Sequence, residues 1–252
     1  AVPAGDVEFK VVENNTWWGD NGKDLTLDTT DGASANISLS SAAADRVILV
    51  NDSTKVYSYT STAQVNPWDS LSAFLDAGIT GVKAAAPSAR IMLHIDCGDD
   101  NASCRSWFDK AAAYNLQYDV IGLSYYSVWR GKDLSKVSSN LSDLASRYSK
   151  DVCIVETSYP WTLGWSDSTS NVVGLESQLI PGYPATPAGQ KAYLAKMVEI
   201  VSSVPNDRGV GIFWWEPDYV AASGFPSSQE NLTWFDFKLS YNGTSRAFLG
   251  EK

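Results

Sequence analysis

Four short apolar runs in the second part of the chain share one feature, because each ends in polar or aromatic residues. The runs cover residues 90–96, 118–126, 152–156 and 209–216. Runs of this length, rich in β-branched residues, are typical of strands buried in a parallel sheet. Stretches with a helical pattern alternate with them, at residues 68–77, 105–115, 133–148 and 188–203. This alternation predicts βα units and a parallel sheet.

Before residue 64 the pattern differs, because short alternating segments occur without a helical stretch. These segments are residues 7–12, 25–27, 35–39, 46–50 and 55–60. The last two flank the sequence Asn-Asp-Ser-Thr at residues 51–54, which has the composition of a hairpin turn. We therefore predict two domains: residues 1–64 as a small antiparallel β-sandwich, and residues 65–252 as a (β/α) barrel unit.

The predicted fold class is α/β, with four recognisable parallel strands of a TIM-barrel-type unit. A closed barrel of this type has eight strands. Four strands leave two edges unpaired and one face of the sheet without the side chains that would fill a barrel. The pattern therefore predicts half of a barrel. We also expect a partner that closes it, such as a second copy of the chain.

Glu156 follows the third apolar run directly and is the main candidate for chemistry. In (β/α) barrels the carboxyl ends of the strands carry the active site. A retaining glycosidase uses one carboxylate as nucleophile and a second carboxyl group about 5–5.5 Å away as acid/base. Glu156 suits the nucleophile, and Tyr125 or Tyr126 would supply a hydroxyl that orients it. The alternative is that Glu156 forms a structural ion pair.

Residues at the other strand ends suggest a sugar-binding face. Trp215 would provide a floor for a sugar ring, and His94 and Asp96 would hydrogen-bond sugar hydroxyls. His94, the only histidine, would alternatively be a core residue with satisfied hydrogen bonds. Trp17 and Trp18 are adjacent in a predicted loop, and neighbouring side chains cannot both face one core from a strand. At least one of them is therefore expected to be available to a carbohydrate.

Composition narrows the choice of partners. The net charge of −10 and the pI near 4.5 argue against nucleic acid and against anionic membranes. No apolar stretch has the length of a membrane span. The first residues resemble a trimmed mature end, so we expect a secreted, cell-surface or periplasmic protein whose signal segment is absent from this chain. Ten Trp and twelve Tyr either fill the core or stack on sugars.

The cysteines and the single histidine argue against a metal centre. Cys97 and Cys104 flank a loop and would form a disulfide in an oxidising compartment. Cys153 lies within an apolar run and is expected to be a buried free thiol. With one histidine and no close cysteine pair, the sequence offers no pattern of zinc ligands. We predict no metal ligands and no cofactor.

Several motifs, taken in order and spacing, resemble one family. They are residues 68–79, 91–96 (IMLHID), 119–126 (DVIGLSYY), 155–162 (VETSYPWT), 187–190 (PAGQ), 215–217 (WEP) and 230–237 (ENLTWFDF). Together they are similar to the endo-β-1,4-galactanases of glycoside hydrolase family 53, within a large clan of retaining (β/α)8 glycosidases. The resemblance covers residues 66–250.

The resemblance implies a role for several of these residues. It implies that they form strands five to eight of the barrel, that Glu156 is the nucleophile, and that the substrate is β-1,4-galactan. Glu216 would be a structural or subsite residue, and Trp161 joins the predicted sugar-binding residues. A calcium ion in the last long loop would follow from the family alone, since Asp218 and Glu230 there do not form an oxygen-rich cluster.

One part of the family pattern is missing. The family's acid/base is the glutamate of an Asn-Glu pair that closes strand four, and strands one to three are not recognisable here. Asn51 and Asp52 lie about where that pair would fall, but aspartate is one methylene shorter, and we interpret both residues as part of the hairpin turn. Residues 6–62 are similar, more weakly, to the small β-sandwich domains of starch-binding surface lipoproteins.

Three hypotheses for the function follow. The first is a retaining endo-β-1,4-galactanase that acts by double displacement, with impaired hydrolysis by this chain because the acid/base glutamate is not found. The second is a non-catalytic glycan-binding protein, and the third is a fragment of a larger galactanase. In each case the expected partner is a polysaccharide or an oligosaccharide.

Overall fold

The computed structural model describes residues 66–250 and, before them, the backbone of four short strands. These strands form two antiparallel pairs, β1 (Val11–Glu13) with β2 (Thr16–Trp18), and β3 (Leu49–Asp52) with β4 (Lys55–Ser58). In the second pair Asn51 lies opposite Val56, and Asp52 lies opposite Lys55. The predicted hairpin is thus confirmed in position. Asn51 and Asp52, however, belong to strand β3 and not to the turn, because their backbone groups take part in the pairing.

The N-terminal domain as a whole stays a prediction. The predicted strands at residues 25–27 and 35–39 lie outside the described residues, so the β-sandwich rests on the sequence pattern. The chain divides into two compact units, Ala1–Leu71 and Ser72–Lys252.

Helix α1 (Pro67–Ala85) is longer than the helix predicted at residues 68–77. The sequence predicts an end at Gly78, but the helix continues through Gly78 and Gly81, where an added Cβ would have no neighbour within 4 Å. Each glycine costs a helix about 1 kcal/mol relative to alanine, which is not enough to end it here. The helix ends instead two residues before Pro87, because the residue that precedes a proline disfavours the helical conformation.

Four parallel strands and three helices then alternate along the chain. They are β5 (Met92–Asp96), α2 (Asn101–Ala113), β6 (Val120–Ser124), α3 (Leu134–Tyr148), β7 (Asp151–Thr157), α4 (Pro187–Ser202) and β8 (Gly209–Trp214). The strands form one sheet in the order β5-β6-β7-β8. This confirms the predicted α/β class with four parallel strands. Helix α2 begins earlier than predicted because Asp100 caps it, its side chain accepting a hydrogen bond from the N–H of Ser103 at 3.0 Å.

One side of the sheet packs against the helices and forms the core. The fully buried residues include Phe108, Ile121, Leu123, Leu141, Leu144, Ile154, Leu194 and Met197. Burying an aliphatic or aromatic side chain of this size stabilises a fold by about 1.5–3 kcal/mol. Thr157 of β7 and Trp214 of β8 also face this side, where the Thr157 hydroxyl lies 2.6 Å from the hydroxyl of Tyr193 on α4.

Strand β7 contains a β-bulge at Val155 and Glu156. Leu123 of β6 pairs with Ile154, but the next residue, Ser124, pairs with Glu156, so β7 carries one extra residue. The pairing of β7 with β8 shifts at the same place. A bulge allows two consecutive side chains to leave a sheet on the same side, which a regular strand does not. Val155 and Glu156 therefore both point away from the helices.

The side of the sheet away from the helices is called the open face and includes Met92, His94, Gly122, Val155 and Phe213. A Cβ on Gly122 would lie 2.7 Å from Sδ of Met92 and 3.1 Å from Cγ1 of Val155, so these two side chains meet over the glycine. Within the described residues, β5 and β8 each pair with one strand only. The sheet is therefore open at both edges in this part of the chain.

Buried amide side chains join the helices to the loops. Asn140 on α3 is fully buried, and its Nδ2 donates to the backbone oxygens of Cys97 at 3.1 Å and of Gly98 at 3.0 Å. The loop after β5 is thereby fixed to α3. Gly98 itself donates its N–H to the oxygen of Ser124 at 3.0 Å, which brings the ends of β5 and β6 together.

Candidate active site

Glu156 lies at the carboxyl end of β7, and the bulge turns its side chain toward the open face. Its Oε2 accepts a hydrogen bond from the hydroxyl of Tyr126 at 3.1 Å, and its Oε1 lies 4.0 Å from Nε2 of His94. The side chain is 27% exposed, so a ligand can reach it. Among residues 66–250 no lysine or arginine forms an ion pair with Glu156, which argues against a purely structural ion pair.

Of the two candidate tyrosines, Tyr126 is the one that hydrogen-bonds Glu156. Burial raises the pKa of its hydroxyl far above the ordinary value, and the negative charge of Glu156 acts in the same direction. The hydroxyl therefore stays protonated and donates to the carboxylate at any pH at which a glycosidase works. Tyr125, the other candidate, is fully buried and donates its hydroxyl to the oxygen of Gly131 at 2.5 Å. It does not line the cavity beside Glu156.

His94 and Asp96, the predicted hydroxyl-binding residues, have different surroundings. Nε2 of His94 lies 2.6 Å from Oγ of Ser124, and the side chain is 40% exposed, so it is not a core residue. Asp96 is paired with Arg130, whose Nε donates to Oδ1 at 3.0 Å and whose Nη2 contacts Oδ2. This two-point contact engages the Asp96 carboxylate and fixes the loop after β6 to the end of β5.

A cavity of about 190 Å³ lies beside Glu156. Its aromatic walls are Tyr126, Trp129 and Trp215. Trp215 is 40% exposed, and its backbone N–H donates to the oxygen of Thr157 at 2.9 Å, which fixes it next to the end of β7. Glu156 is the only carboxylate among the described residues that line this cavity.

Sequence reasoning missed Trp129. It is 65% exposed and packs edge-to-face on Tyr126, with the ring centroids 5.1 Å apart at an angle of 72°. The signal was present in the sequence, because an aromatic residue in the loop that follows a strand's carboxyl end is placed to meet a ligand. An exposed indole held by a neighbouring ring is a suitable surface for a sugar.

Trp161 and Glu216, two further predicted site residues, do not line the cavity. Trp161 donates its indole N–H to the backbone oxygen of Glu230 at 3.4 Å. Glu216 is half-buried with φ of 52°, a left-handed conformation that is uncommon outside glycine. The prediction of a loop at Trp17 and Trp18 is wrong, because their backbone pairs with β1 as part of strand β2; their side chains lie outside the described residues.

The fully buried Gln190 holds the loops around the site together. Its Nε2 donates to the backbone oxygens of Tyr159 at 2.7 Å, Thr233 at 3.0 Å and Leu232 at 3.2 Å. Its Oε1 accepts from Nδ2 of Asn242 at 2.8 Å. One side chain at the start of α4 thus joins the loop after β7 to the loop after β8, which accounts for the glutamine of the motif at residues 187–190.

Glu230 and Asn231 anchor the long loop after β7. The carboxylate of Glu230 accepts hydrogen bonds from the N–H of Ser166 at 2.6 Å and from its hydroxyl at 2.5 Å. The buried Asn231 donates to the oxygens of Val173 at 2.7 Å and Thr162 at 2.8 Å. Glu230 is therefore engaged within the protein, and no group of three or more metal-binding side chains occurs in the described part of the chain.

The cysteines have the arrangement that the sequence indicates. Cys97 and Cys104 form a disulfide, and Cys153 is a buried free thiol. Burial raises the pKa of Cys153 to about 11, so the thiol stays protonated and unreactive near neutral pH. None of the helices in the described residues has the length and apolar character needed to cross a membrane.

This arrangement suits nucleophilic attack on a sugar ring. Glu156 is a carboxylate held by one hydroxyl donor at the edge of a cavity with aromatic walls. Retaining glycosidases need a second carboxyl group about 5–5.5 Å from the nucleophile. The described residues that line the cavity provide one of the two groups.

Comparison with known proteins places the chain in a family. The family model described as Glycosyl hydrolase family 53 matches residues 19–246. The match begins within the stretch that the sequence predicts as a separate β-sandwich, and that assignment stays a prediction.

Similar proteins include a galactanase. An arabinogalactan endo-β-1,4-galactanase of Cellvibrio japonicus is 36% identical over 193 residues, which cover 72% of this chain and 49% of that protein. An uncharacterised protein from the bgaB 5′ region of Niallia circulans is 42% identical over 176 residues, which cover 68% of this chain and 48% of that protein.

A solved structure agrees with the fold. The GH53 catalytic domain of Ignisphaera aggregans superposes with a TM-score of 0.68 and 26% identity, over 72% of this chain and 52% of that domain. The chain thus spans about half the length of the curated relatives it matches. Since the family model covers most of the sequence and the relatives share the fold, the resemblance carried by the strand-end motifs is confirmed, and this chain belongs to glycosyl hydrolase family 53.

Proposed function

We propose that this chain contributes the nucleophile of a retaining endo-β-1,4-galactanase. The main support for this proposal is the surroundings of Glu156. Its carboxylate accepts a hydrogen bond from Tyr126 beside a cavity with aromatic walls, at the carboxyl ends of the strands. The choice of galactan is supported by the Cellvibrio japonicus relative, which is an arabinogalactan endo-β-1,4-galactanase.

The reaction would proceed by double displacement. An oxygen of Glu156 attacks the anomeric carbon, and the bond from that carbon to the glycosidic oxygen breaks. A second carboxyl group gives its proton to the departing oxygen, which leaves a glycosyl-enzyme on Glu156. The same group then takes a proton from water as the water oxygen attacks the anomeric carbon and releases Glu156. Two inversions at one carbon give net retention.

The neighbours of Glu156 have separate tasks in this proposal. Tyr126 holds the carboxylate in one orientation through its hydroxyl. Trp129 and Trp215 offer aromatic faces on which the apolar sides of two sugar rings stack. His94, held by Ser124 and half-exposed, hydrogen-bonds a sugar hydroxyl close to the nucleophile.

Action outside the cytoplasm is part of the proposal. The disulfide between Cys97 and Cys104 supports an oxidising compartment, since such bonds are rare in a reducing cytosol. A polymer such as galactan also has to be cut where it is found, which is outside the cell.

A mechanism-based label tests the nucleophile without the second carboxyl group. A 2-deoxy-2-fluoro galactobioside with a dinitrophenolate leaving group needs no proton on the departing oxygen, and the fluorine slows hydrolysis of the glycosyl-enzyme. We expect the chain to gain one label, which mass spectrometry maps to the peptide that contains Glu156. The Glu156→Gln variant should gain none. Glu176→Gln, an exposed glutamate outside the cavity, is the matched control and should be labelled like the wild type.

Two outcomes would contradict the proposal. One is a wild-type chain that is folded but takes up no label, and the other is labelling that persists in Glu156→Gln. Retention of an unlabelled chain in a galactan affinity gel would favour the glycan-binding alternative. Release of galacto-oligosaccharides from β-1,4-galactan by the wild type only would show that a second carboxyl group is also in place.

A further inference from the structure

Trp129 stands between the cavity beside Glu156 and a second, larger cavity. Among the described residues that line the two cavities, Trp129 is the one that lines both. The second cavity, called the outer cleft, has a volume of about 800 Å³. Its walls are the loops after β5 and β6, the start of α2 at Asn101, and residues 135–143 of α3. One indole thus connects the candidate active site to a cleft at the ends of two helices.

The cavity beside Glu156 is small for a polymeric ligand. Its volume of about 190 Å³ lies below the range of about 300–1,000 Å³ that is typical of ligand sites, whereas the outer cleft falls within that range. An enzyme that cuts a polymer internally also meets units on both sides of the bond that it breaks. Units beyond the first cavity therefore need a further surface, and the outer cleft adjoins it through Trp129.

The loop that carries Trp129 is fixed at several points. The hydroxyl of Tyr125 donates to the oxygen of Gly131 at 2.5 Å, and the N–H of Gly131 donates to Oδ2 of Asp99 at 3.0 Å. The N–H of Trp129 donates to the oxygen of Tyr126 at 3.2 Å, and the two rings pack edge-to-face. The indole is therefore held between the two cavities, which lowers the conformational cost of stacking a sugar on it.

The wall of the outer cleft that α2 and α3 form is fixed as well. Nδ2 of Asn101 donates to Oδ1 of the buried Asn140 at 3.0 Å and to Oδ2 of Asp143 at 2.7 Å. Asn140 in turn donates to the oxygen of Cys97, and the disulfide from Cys97 to Cys104 ties the loop after β5 to α2. The cleft is thus part of the hydrogen-bonded and cross-linked fold.

The polar groups of the outer cleft suit a neutral ligand with many hydroxyls. The charged residues that line it are three aspartates together with Arg130 and Lys136, so neither a polyanion nor a polycation is favoured. Nζ of Lys136 and the hydroxyl of Ser139 are exposed and have no hydrogen-bond partner among the described residues. These donors, next to an exposed indole, match the hydroxyls and the apolar face of a sugar ring.

We propose that the outer cleft binds further sugar units of the galactan chain that reaches Glu156, and that the chain crosses Trp129 between the two cavities. The choice of galactan rests on the proposed function. In the outer cleft, Lys136 and Ser139 donate hydrogen bonds to the sugar hydroxyls. A disaccharide occupies the cavity beside Glu156, whereas a longer oligosaccharide also enters the cleft, so affinity rises with chain length.

Isothermal titration calorimetry with β-1,4-galactobiose and β-1,4-galactohexaose tests the proposal. All proteins carry Glu156→Gln, which prevents turnover of the ligand. We expect the hexaose to bind more tightly than the biose, and Lys136→Ala with Ser139→Ala to weaken the hexaose about 2- to 10-fold for each hydrogen bond lost. The affinity for the biose should not change. Lys238→Ala with Ser146→Ala is the matched control, since both residues are exposed and line neither cavity.

The outcomes separate the outer cleft from the proposed function. Equal affinities for the two sugars, an unchanged hexaose affinity in the cleft variant, or equal weakening by the cleft and control variants would overturn the proposal. A hexaose that binds through Lys136 without slowing the labelling of Glu156 in the otherwise wild-type chain would also overturn it, because the two cavities would then not share one ligand.

Labelling distinguishes the two kinds of failure. If hexaose binding depends on the cleft but the fluorinated galactobioside labels no residue, the outer cleft is supported and the proposed function is contradicted. If Glu156 is labelled but the cleft variant binds the hexaose like the control, the proposed function stands and the outer cleft is overturned. Circular dichroism checks that each variant is folded before titration.

Discussion

The hydrogen bond from Tyr126 to Glu156 is the contact that bears most directly on the proposed nucleophile. We expect Tyr126→Phe to slow labelling by the fluorinated galactobioside about 10- to 100-fold, since a hydrogen bond to a charged group contributes about 1.5–3 kcal/mol. The second-order rate constant of labelling measures the effect. Tyr241→Phe removes an exposed hydroxyl that pairs with Ser245 and should leave the rate unchanged. Equal rates in all three proteins would show that Tyr126 does not orient the nucleophile.

Trp129 offers a second test at the same scale. Because it is 65% exposed, Trp129→Ala should fold normally. Loss of one stacking surface should weaken the binding of galacto-oligosaccharides up to about tenfold, from an aromatic contribution of about 0.5–1.5 kcal/mol. Trp165→Ala is the control, since Trp165 is 58% exposed and does not line the cavity. Isothermal titration calorimetry measures the affinity of both variants for galacto-oligosaccharides. Equal affinities would show that Trp129 does not contribute to binding.

Single residues differ in how far the sequence predicts them. The place of Glu156 at a strand end could be predicted, because one acid directly after an apolar run is a strong pattern, whereas its role as nucleophile stays a prediction. The choice between Tyr125 and Tyr126 could not be made in advance, because it depends on which one the end of β6 turns toward Glu156. The ion pair between Asp96 and Arg130 could not be predicted either, since the two residues are far apart in sequence.

At the scale of elements, the order of strands and helices was predictable and two of their details were not. Periodicity and length identify the four strands, because each run is long enough to be a strand and too short to be a helix. Helix α1 passes Gly78 and Gly81 because the cost of each glycine, about 1 kcal/mol, is not enough to end it, which the sequence alone does not decide. The bulge in β7 cannot be predicted from the sequence either, since it arises from pairing with both neighbouring strands.

The junction between β5 and β6 gives a prediction about glycine. A Cβ at Gly98 would lie 2.9 Å from the backbone oxygen of Ser124 and 2.7 Å from Cβ of Tyr125, which cannot easily move. Gly98→Ala should therefore lower the free energy of unfolding by about 1–3 kcal/mol. Gly81→Ala, in the open part of α1, should instead raise it by about 0.5–1 kcal/mol. Urea unfolding measures the change in the free energy of unfolding for both variants. No change in Gly98→Ala would contradict the tight contact.

At the scale of the whole molecule, stability should fall in alkaline solution. Burial raises the pKa of Cys153 to about 11 and those of Tyr118 and Tyr148 to about 12, from ordinary values of 9.0 and 10.0. Between the ordinary and the raised values the unfolded chain has lost protons that the folded chain keeps. Deprotonation then favours unfolding. These groups therefore do not lower the free energy of unfolding below pH 9, but they lower it progressively as the pH rises toward 12.

Urea midpoints across this range check the prediction. We expect Tyr118→Phe to lose less stability than the wild type between about pH 9 and about pH 12, because one titrating group is gone. A midpoint that stays constant to about pH 11 would contradict the assignment.

Two buried side chains described above also bear on how the protein can be made. Asn140 and Asn231 each begin a glycosylation sequence, Asn-Leu-Ser and Asn-Leu-Thr, and the nitrogen that would carry a glycan donates hydrogen bonds inside the fold. If a eukaryotic secretory pathway attached a glycan to either asparagine before folding, that side chain could not be buried and the chain would not fold correctly. A bacterial periplasm forms the disulfide between Cys97 and Cys104 and leaves most such asparagines unmodified. It is therefore the production compartment that suits both features of this chain.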